Sequence, residues 1–439
     1  MTTSRRVRHL LVSLAALGFL VAAPAFPAGF QIMTQGARAT GLGLAFTAVA
    51  DDPTAIFYNP AGLGWQEHFS VELGAGFLSK LDGQFVGSNP FPGTGENGKQ
   101  HLTTFVLPNF YGVVPLLKDL NLGVGVFSPY GLGFRWQNPI PSEPDPWPGR
   151  FISTNAVIQT VDINPVLSWR ITPEISIAGG ADYRLSRVQL ERNNATFDPL
   201  TMSEVDTAYV KLDSSIWDNS GWGWNAGLLI KPVPSFSIGA SYRSKIKIDY
   251  AGTATFTQIL TGNAVFDGLV AAGLPPSPQN VATQITFPAT VNLGMAWVIA
   301  QNTIVSVEAD WTQWSDFHDL QINFANPLIP DQDRVTAWKD VWAYRIGFEQ
   351  KIGKSSVQVG AYYDNSPQPV ADVGPLLADN DRIGYSFGFS YGTERWSVNI
   401  SDLYLTVHDR TTGPNTDGFY GTYSKEAVNI AIASLRFSF

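Results

Sequence analysis

The chain has 439 residues, of which only 15% are charged, 13% are aromatic and 41 are glycine, and its formal net charge is −9. The acidic balance argues against nucleic-acid binding, and the absence of cysteine excludes thiol catalysis, thiolate metal sites and disulfide bonds. Soluble proteins carry about 25% charged residues, yet the mean hydropathy of +0.00 is too low for a bundle of membrane helices. These properties are typical of a transmembrane β-barrel, in which lipid-facing and lumen-facing residues alternate.

The first 25 residues have the pattern of a secretory signal peptide. Arg5, Arg6 and Arg8 form a basic region, and the apolar run Leu10–Ala23 follows it. This run is shorter than the ~20 residues that a membrane-spanning helix needs. Small residues after the run predict cleavage after residue 25 or residue 28.

Residues 26–66 are predicted to form a hatch that plugs the barrel. The stretch Ala50–Trp65 is too apolar for an exposed tail, and its Pro and Gly residues exclude a membrane span. Asn59-Pro60 predicts a turn or the start of a helix, because the residue before a proline is pushed away from helical geometry. An ordinary connector is the alternative.

Residues 67–439 are predicted to form the barrel itself. About six short turns and about seven long loops alternate along this part of the chain, which predicts roughly 14 antiparallel strands. Outer-membrane barrels have short periplasmic turns and long external loops. An even number of strands places both ends of the barrel at the periplasmic side.

The segment Phe236–Tyr250 illustrates the alternation. Its even positions are mostly apolar and suit lipid, so its odd positions are expected to point into the lumen. These odd positions include Arg243, Lys245, Lys247 and Asp249. A soluble β-sandwich with one solvent-exposed face would show the same alternation of apolar and polar residues. The signal peptide and the alternation of short turns with long loops favour the barrel.

The chain ends on an aromatic residue, as outer-membrane barrels commonly do. Leu435, Phe437 and Phe439 alternate to the last position. Phe439 is therefore assigned to recognition by the barrel-assembly machinery, with closure of the last strand as the simpler explanation of the pattern.

Motifs from end to end resemble the FadL/TodX family of outer-membrane transporters for long-chain fatty acids and other hydrophobic compounds. The motifs occur in the same order over nearly the whole mature chain. They are Ala28-Gly-Phe30-Gln, Asn59-Pro-Ala61, Tyr130-Gly-Leu132, Gly221-Trp-Gly-Trp-Asn-Ala-Gly227, Tyr242-Arg-Ser, Trp311-Thr-Gln-Trp-Ser315, Trp338-Lys-Asp340 and Asp364-Asn-Ser-Pro367.

The resemblance implies a 14-stranded barrel in the outer membrane of a Gram-negative bacterium, acting as a passive channel without a cofactor. External loops would capture the ligand, the lumen would bind it, and a gap at a kinked third strand would release it into the bilayer. Four hatch residues are carried over as functional: Phe30, Asn59, Pro60 and Ala61.

The third predicted strand is interrupted where the family has its lateral opening. Ser128, Pro129, Tyr130 and Gly131 follow an apolar run. Proline removes a backbone donor and glycine leaves no side chain to pack, so the strand is expected to bend or open here. An ordinary bulge is the alternative to an exit port.

Basic residues in the lumen would bind a fatty-acid carboxylate through charge-assisted hydrogen bonds. The candidates are Arg187, Arg192, Arg243, Lys247 and Lys339. Structural Arg–Asp pairs, which are common inside barrels, are the alternative. Strand parity also places Arg187 on the lipid-facing side unless a bulge intervenes.

Two long loops carry apolar residues that predict a capture surface. Loop 135–150 contains Trp136 and Trp147, and loop 257–283 contains a segment, 264–274, that could form a short amphipathic helix. Packing of the loops on themselves is the alternative.

No catalytic residue and no metal ligand is predicted. Gly388-Phe-Ser390-Tyr-Gly392 matches the hydrolase pattern G-x-S-x-G, but strands flank it on both sides, so it lacks the strand-to-helix turn. The expected partners are a hydrophobic ligand, lipopolysaccharide and the assembly machinery, with the protein a monomer. An uncharged aromatic substrate, a barrel enzyme or adhesin, and a general porin are the competing functions.

Overall fold

The computed structural model describes residues 29–138, 145–199, 201–300, 302–327 and 329–439. The predicted signal peptide, residues 1–25, and both candidate cleavage sites lie outside the described residues. Among those described, no helix is long and apolar enough to cross a membrane.

The described residues form a closed antiparallel barrel of 14 strands, as predicted, and several strands consist of two segments. The strands are β1 (Ser70–Gly87), β2 (Asn97–Lys99 and Thr104–Leu117), β3 (Leu120–Phe127 and Gly131–Arg135), β4 (Asn155–Arg170), β5 (Ile175–Asp198), β6 (Ser203–Ser214 and Ser220–Val233), β7 (Phe236–Arg243 and Ile246–Gln258), β8 (Gln279–Phe287 and Thr290–Ala300), β9 (Thr303–Thr312 and Asp319–Phe324), β10 (Gln332–Val335 and Val341–Ile352), β11 (Ser355–Asp364), β12 (Arg382–Gly392), β13 (Trp396–Val407 and Arg410–Thr411) and β14 (Gly421–Ser438).

The first and last strands close the barrel. Leu73 of β1 lies opposite Phe110 of β2 and also opposite Leu435 of β14. Closure removes the free sheet edges that would otherwise expose unpaired backbone groups to lipid. At the end of the chain, Phe439 donates its backbone N–H to the carbonyl of Phe69 at 2.9 Å, and the two rings stack.

Side chains alternate between the lipid and the lumen along uninterrupted strand segments. In β1, Leu73 and Phe77 are exposed on the outer face, whereas Glu72 and Leu78 are buried inside. In β9, Glu308 and Asp310 are buried on the inner face, as the alternation predicts.

The alternation reverses within β7, and this corrects the prediction for Lys247. The ladder is interrupted at residues 244–245, after which Ile246 and Ile248 are buried inside and Lys245 and Lys247 are exposed outside. A shift of one residue moves every later side chain to the opposite face of a strand. The placement of Lys247 in the lumen was therefore wrong, whereas Arg243, which precedes the break, does point inward.

The hatch lies inside the barrel, where the structure describes it from Gly29 onward. It contains helix α1 (Ala37–Gly41), helix α2 (Ala55–Tyr58) and a 3-10 helix (Pro60–Trp65). The Asn59 side chain caps the 3-10 helix by accepting the N–H of Ala61 at 3.2 Å. Helix α3 (Ala264–Gly273) and two 3-10 helices, Trp314–Asp316 and Val370–Asp372, belong to the external half.

The inner wall accommodates the hatch through glycine residues that face it. At Gly360 of β11, an added Cβ would overlap the backbone of Gly43, and at Gly239 of β7 it would overlap the carbonyl of Thr47. Only glycine permits such an approach between the two backbones.

Candidate functional site

An apolar cavity of about 50 Å³ lies in the external half of the lumen. The hatch provides one wall, and the upper segments of several strands provide the others. The residues that line it are Phe30, Leu132, Ile158, Val188, Leu190, Ile285, Phe317, Leu320, Arg334, Thr336, Trp338, Gln368, Asp372, Leu376 and Leu377. The volume of the cavity is well below the ~300 Å³ at which ligand pockets typically begin.

Phe30 of the hatch lies at the centre of an aromatic cluster below the cavity. Its ring centroid is 4.8 Å from that of Trp314 and 5.3 Å from that of Phe317. Tyr130 and Phe287 contact it from the side of β3 and β8, at 6.1 and 5.9 Å. Phe30 lines the cavity, and its carbonyl accepts the N–H of Gly131 at 2.8 Å, so this residue lies between the cavity and the break in β3.

The predicted exit residues Ser128, Pro129 and Tyr130 form the break in β3, and Gly131 begins its upper segment. The ladder to β2 runs upward only as far as the pair of Val126 with Phe110. Above this point the ladder pairs of the upper segment of β3 among the described residues are with β4, starting with Gly131 opposite Gln159.

Contact with β2 resumes where the His101 N–H donates to the Arg135 carbonyl at 2.7 Å. A stretch of wall without ladder pairs therefore separates β2 from β3 among the described residues.

The hatch takes up the backbone groups that this break leaves unpaired. Gln31 forms an antiparallel bridge with Tyr130, in which Ile32 N–H donates to Pro129 at 2.7 Å and Gly131 N–H donates to Phe30 at 2.8 Å. This pairing brings Phe30 to the exit residues, which the sequence did not indicate.

The Gln35 side chain adds further contacts to the same break. Its Nε2 donates to the Ser128 carbonyl at 2.7 Å, and its Oε1 accepts the Ser128 N–H at 3.3 Å. Tyr111 Oη donates to the Gln35 carbonyl at 2.8 Å.

Two buried ion pairs surround the break in β3. Arg184 donates to Asp162 at 2.7 Å, and its guanidinium lies 4.5 Å from the centre of the Tyr130 ring. Arg243 pairs with Asp182, and its guanidinium lies 5.5 Å from the centre of the Phe57 ring in the hatch. Of the predicted bases, Arg243 thus lies in the lumen, where Asp182 already neutralises it.

Arg184 was missed by the sequence reasoning, although a signal for it exists. Asp182, Arg184 and Ser186 are all buried and occupy alternate positions of β5, whereas Tyr183 lies between them on the outer face. Because side chains alternate between the two faces of a strand, Arg184 is on the same face as Asp182 and Ser186, which is the lumenal face.

The other predicted bases do not line the cavity. Arg187 is partly exposed on the outer face of β5 and donates to Asp213 at 2.9 Å, as its strand parity indicated. Lys339 is exposed and lies between the two segments of β10, where the chain leaves the strand ladder. Arg192 is partly buried near the external end of β5.

Arg334 is the basic residue that does line the cavity, and the sequence reasoning missed it. Its guanidinium donates to Asp417 at 2.8 and 2.9 Å. The residue lies in the short first segment of β10, Gln332–Val335, which has no run of alternating residues from which the orientation of Arg334 could be predicted.

Trp136 and Trp147 come together, but they are buried. Their rings stack with centroids 3.8 Å apart, and each residue is 1% exposed. Phe85 and Phe419 pack against Trp147. The two tryptophans thus belong to a packed external core, while residues 139–144 of the same loop lie outside the described residues.

The second predicted capture loop does expose apolar side chains. It contains α3, which matches the predicted helical segment. Leu260, Val265 and Leu269 are 72%, 73% and 66% exposed, whereas Phe266 is buried. Among the described residues, α3 and the loop before it thus expose apolar side chains, whereas the two tryptophans do not.

The hatch is attached to the wall by contacts around Asn59 and Arg38. Asn59 Nδ2 donates to the carbonyls of Thr47 at 2.9 Å and Leu228 at 3.0 Å, and Ser168 Oγ donates to the carbonyl of Ala61 at 3.3 Å. At the periplasmic end, Arg38 donates to Glu349 of β10 at 2.6 Å.

Arg38 also pairs with Asp51 within the hatch. Burial raises the pKa of the Asp51 carboxyl, but Arg38 outweighs this effect and lowers that pKa to about 2. The pair is therefore ionised at neutral pH.

Ser390 of the G-x-S-x-G match lies within the single strand β12, whereas the sequence pattern placed the match between two strands. Its hydroxyl accepts a hydrogen bond from Gln358 Nε2 at 3.2 Å. A serine in a regular strand lacks the strained turn that exposes the nucleophile of a hydrolase.

Comparisons with known proteins agree with this architecture. The family model described as outer membrane protein transport protein (OMPP1/FadL/TodX) matches residues 18–439. A long-chain fatty acid transport protein of Escherichia coli O6:H1 is 26% identical over 422 residues, which cover 90% of each chain. Outer membrane protein P1 of Haemophilus influenzae (strain Rd) is 22% identical and 89% of each chain is covered.

Solved structures share the fold. A FadL homologue of Pseudomonas aeruginosa superposes with a TM-score of 0.78 at 20% identity, covering 94% of this chain and 100% of that one. The toluene transporter TodX of Pseudomonas putida gives a TM-score of 0.69 at 17% identity with the same coverage. The chain therefore belongs to the OMPP1/FadL/TodX family of outer membrane transport proteins.

Proposed function

We propose that this protein is a passive channel that carries long-chain fatty acids or related hydrophobic compounds across the outer membrane. The observation that carries the proposal is the adjacency of the apolar cavity to the break in β3, with only Phe30 and its neighbours between them. A relative that is 26% identical is named as a long-chain fatty acid transport protein, which supports the same substrate class.

The proposed path has three steps. The exposed apolar side chains around α3 take up the ligand outside, and the ligand then enters the cavity by displacing its lining side chains. Movement of Phe30 would connect the cavity to the unpaired wall between β2 and β3. Exit into the bilayer is favourable because each methylene of an acyl chain gains about 0.8 kcal/mol on leaving water.

The hatch, residues 26–66, would keep the lumen closed to polar solutes during these steps. Its contacts through Asn59 and Arg38 hold it against the wall at the periplasmic end. No catalytic step is part of the proposal. We also infer that the protein acts as a monomer and that the assembly machinery reads Phe439.

An uncharged aromatic hydrocarbon is a second candidate substrate, and a specific observation favours it. The basic residues nearest to the path, Arg184, Arg243 and Arg334, are each paired with an aspartate. A carboxylate ligand would have to compete with Asp417 for Arg334, whereas a neutral ligand needs no cation.

Uptake of oleate and toluene by cells that lack their own transporter would test the proposal. Wild type is expected to raise the uptake of at least one of them, and Pro129→Val with Gly131→Val, which favours strand pairing across the break, is expected to abolish the gain. Pro115→Val near the periplasmic turn of β2 is the matched control. If neither compound enters faster with wild type, the channel function is wrong. Uptake that survives the double substitution would instead contradict the lateral exit alone.

A further inference from the structure

A small polar pocket lies inside the barrel at the break in β3. Pro129 and Tyr130 of the break line it together with Gln31 of the hatch. On the wall, Arg243 ends the first segment of β7, Thr290 begins the second segment of β8, and both residues line the pocket. Among the described residues, none lines both this pocket and the apolar cavity. The pocket is thus a separate space that adjoins the proposed exit.

Asn225 of β6 brings an unsatisfied hydrogen-bond acceptor to this pocket. The residue lines the pocket and is 3% exposed. Its Nδ2 donates to Asp182 at 3.0 Å, and this bond fixes the orientation of the amide because an ionised carboxylate only accepts. Its Oδ1 has no hydrogen-bond partner among the described residues. Because a buried acceptor without a partner costs free energy, this oxygen favours a ligand group that donates a hydrogen bond.

The charge at the pocket is already balanced. Among the described residues that line it, only Arg243 is charged, and this guanidinium pairs with Asp182. Its Nη2 also donates to the carbonyl of Phe57 in the hatch at 3.4 Å. An anionic ligand group would have to compete with Asp182 for Arg243, and breaking a buried ion pair is strongly unfavourable. The pocket therefore favours a neutral group.

The volume of the pocket matches one small polar group. A cavity needs about 10–15 Å³ to hold a group of the size of water, and this pocket has about 20 Å³. Thr290 and Asn292 of β8 also line it, and their side chains can donate to the oxygen of such a group. A hydroxyl both donates and accepts, so it can use Asn225 and these side chains together.

We propose that this pocket binds the hydroxyl of a neutral head group, as in a fatty alcohol or an undissociated fatty acid. The alkyl chain attached to it would lie in the break beside Pro129 once the hatch stretch around Gln31 moves. This inference rests on the proposed channel function and specifies the substrate class at the exit. A hydrocarbon such as toluene has no donor for Asn225 and would leave its Oδ1 unsatisfied.

Titration calorimetry on the purified mature chain would test this site. The probes are oleyl alcohol and oleyl methyl ether, which share the same alkyl chain and differ in the hydroxyl donor. Wild type is expected to bind the alcohol about tenfold more tightly than the ether, on the scale of one hydrogen bond to a buried acceptor. Asn225→Leu, which removes the acceptor at a similar side-chain size, is expected to bind the two probes equally.

Asn164→Leu is the matched control. Asn164 of β4 is also buried, and its Oδ1 also has no partner among the described residues, but it does not line the pocket. This variant is expected to keep the wild-type preference for the alcohol. Asn225→Ser retains a hydroxyl that can donate to Asp182 and accept from the ligand, so it is expected to keep part of the preference. A heat-dependent shift on electrophoresis verifies that the barrel of each variant is folded.

The proposal is overturned if wild type binds the alcohol and the ether equally, or if folded Asn225→Leu keeps the preference. It is also overturned if Asn164→Leu loses as much of the preference as Asn225→Leu. In these cases both probes still bind to wild type, and the channel function stands. If neither probe binds to wild type and neither oleate nor toluene is taken up, the channel function fails together with this site.

Discussion

Gln31 of the hatch pairs with Tyr130 across the break in β3. The flanking bonds run from Ile32 N–H to Pro129 and from Gly131 N–H to Phe30, so Gln31 and Tyr130 form a non-hydrogen-bonded pair. One short stretch of the hatch thus completes the strand that the wall itself leaves unfinished. Any ligand that leaves the cavity through this break has to displace that stretch.

A covalent crosslink between residues 31 and 130 should stop uptake of the hydrophobic ligand. The α-carbons of a non-hydrogen-bonded pair lie about 4.5 Å apart, which is within the range that a disulfide bridges. Because the chain has no cysteine, Gln31→Cys with Tyr130→Cys would create a unique crosslink. We expect uptake to fall to background in the oxidised double variant and to recover after reduction. The two single variants control for loss of each side chain, and full uptake in the oxidised state would show that the stretch need not move.

Enlarging Gly360 should loosen the hatch. A Cβ there would overlap the Gly43 backbone, whereas a Cβ at Gly76, also on the inner face, would have Leu107 as its nearest neighbour at 3.6 Å. We therefore expect Gly360→Ala to increase entry of a small hydrophilic antibiotic severalfold and Gly76→Ala to leave it unchanged. Equal permeability of the two variants would mean that the hatch tolerates the displacement without opening the lumen.

Substitution of Arg334 should show whether the cavity binds an anionic ligand more tightly than a neutral one. If oleate is the ligand, Arg334→Gln should weaken its binding about tenfold, on the scale of one charged hydrogen bond of about 1.5 kcal/mol, with no effect on toluene. Lys247→Gln and Lys339→Gln should leave both affinities unchanged, because both side chains lie away from the cavity lining. Titration calorimetry on the purified variants would measure this, and equal losses for oleate and toluene would assign Arg334 a purely structural role.

The attachment of the hatch at its periplasmic end should depend on pH only under strongly acidic conditions. The pKa of Asp51 is lowered from 3.8 to about 2 in the folded protein. The stabilisation from its pair with Arg38 is therefore complete above pH 3.8 and is lost as the pH falls towards 2. At pH 5 the hatch amides should exchange faster in Asp51→Asn than in wild type, because the substitution removes the pair with Arg38. That difference should shrink between pH 4 and pH 2, and a difference already lost at pH 5 would contradict the lowered pKa.

Several features of the fold followed from local sequence. The alternation of short turns with long loops predicted the number of strands, because each connection is recognisable from its own residues. Pro129 predicted the break in β3, and Asn59-Pro60 predicted the start of a helical turn in the hatch. In each case the decisive interactions lie within a few residues of one another along the chain.

The tertiary structure decided which way the charged side chains point and what they contact. The period of two in β7 persists only until residues 244–245. There the Ser244 N–H donates to the carbonyl of Trp224 in β6 at 2.9 Å, and the Ser244 hydroxyl accepts the Trp224 N–H at 2.9 Å, so partners 20 positions away along the chain take part in the interruption. The pairing of Arg243 with Asp182 joins residues 61 positions apart, and the contact of Phe30 with Trp314 joins the hatch to β9. The sequence by itself therefore determined the barrel, its topology and the position of the break in β3. Long-range packing decided that the hatch fills this break, that aspartates neutralise the lumenal arginines, and that Lys247 faces the membrane.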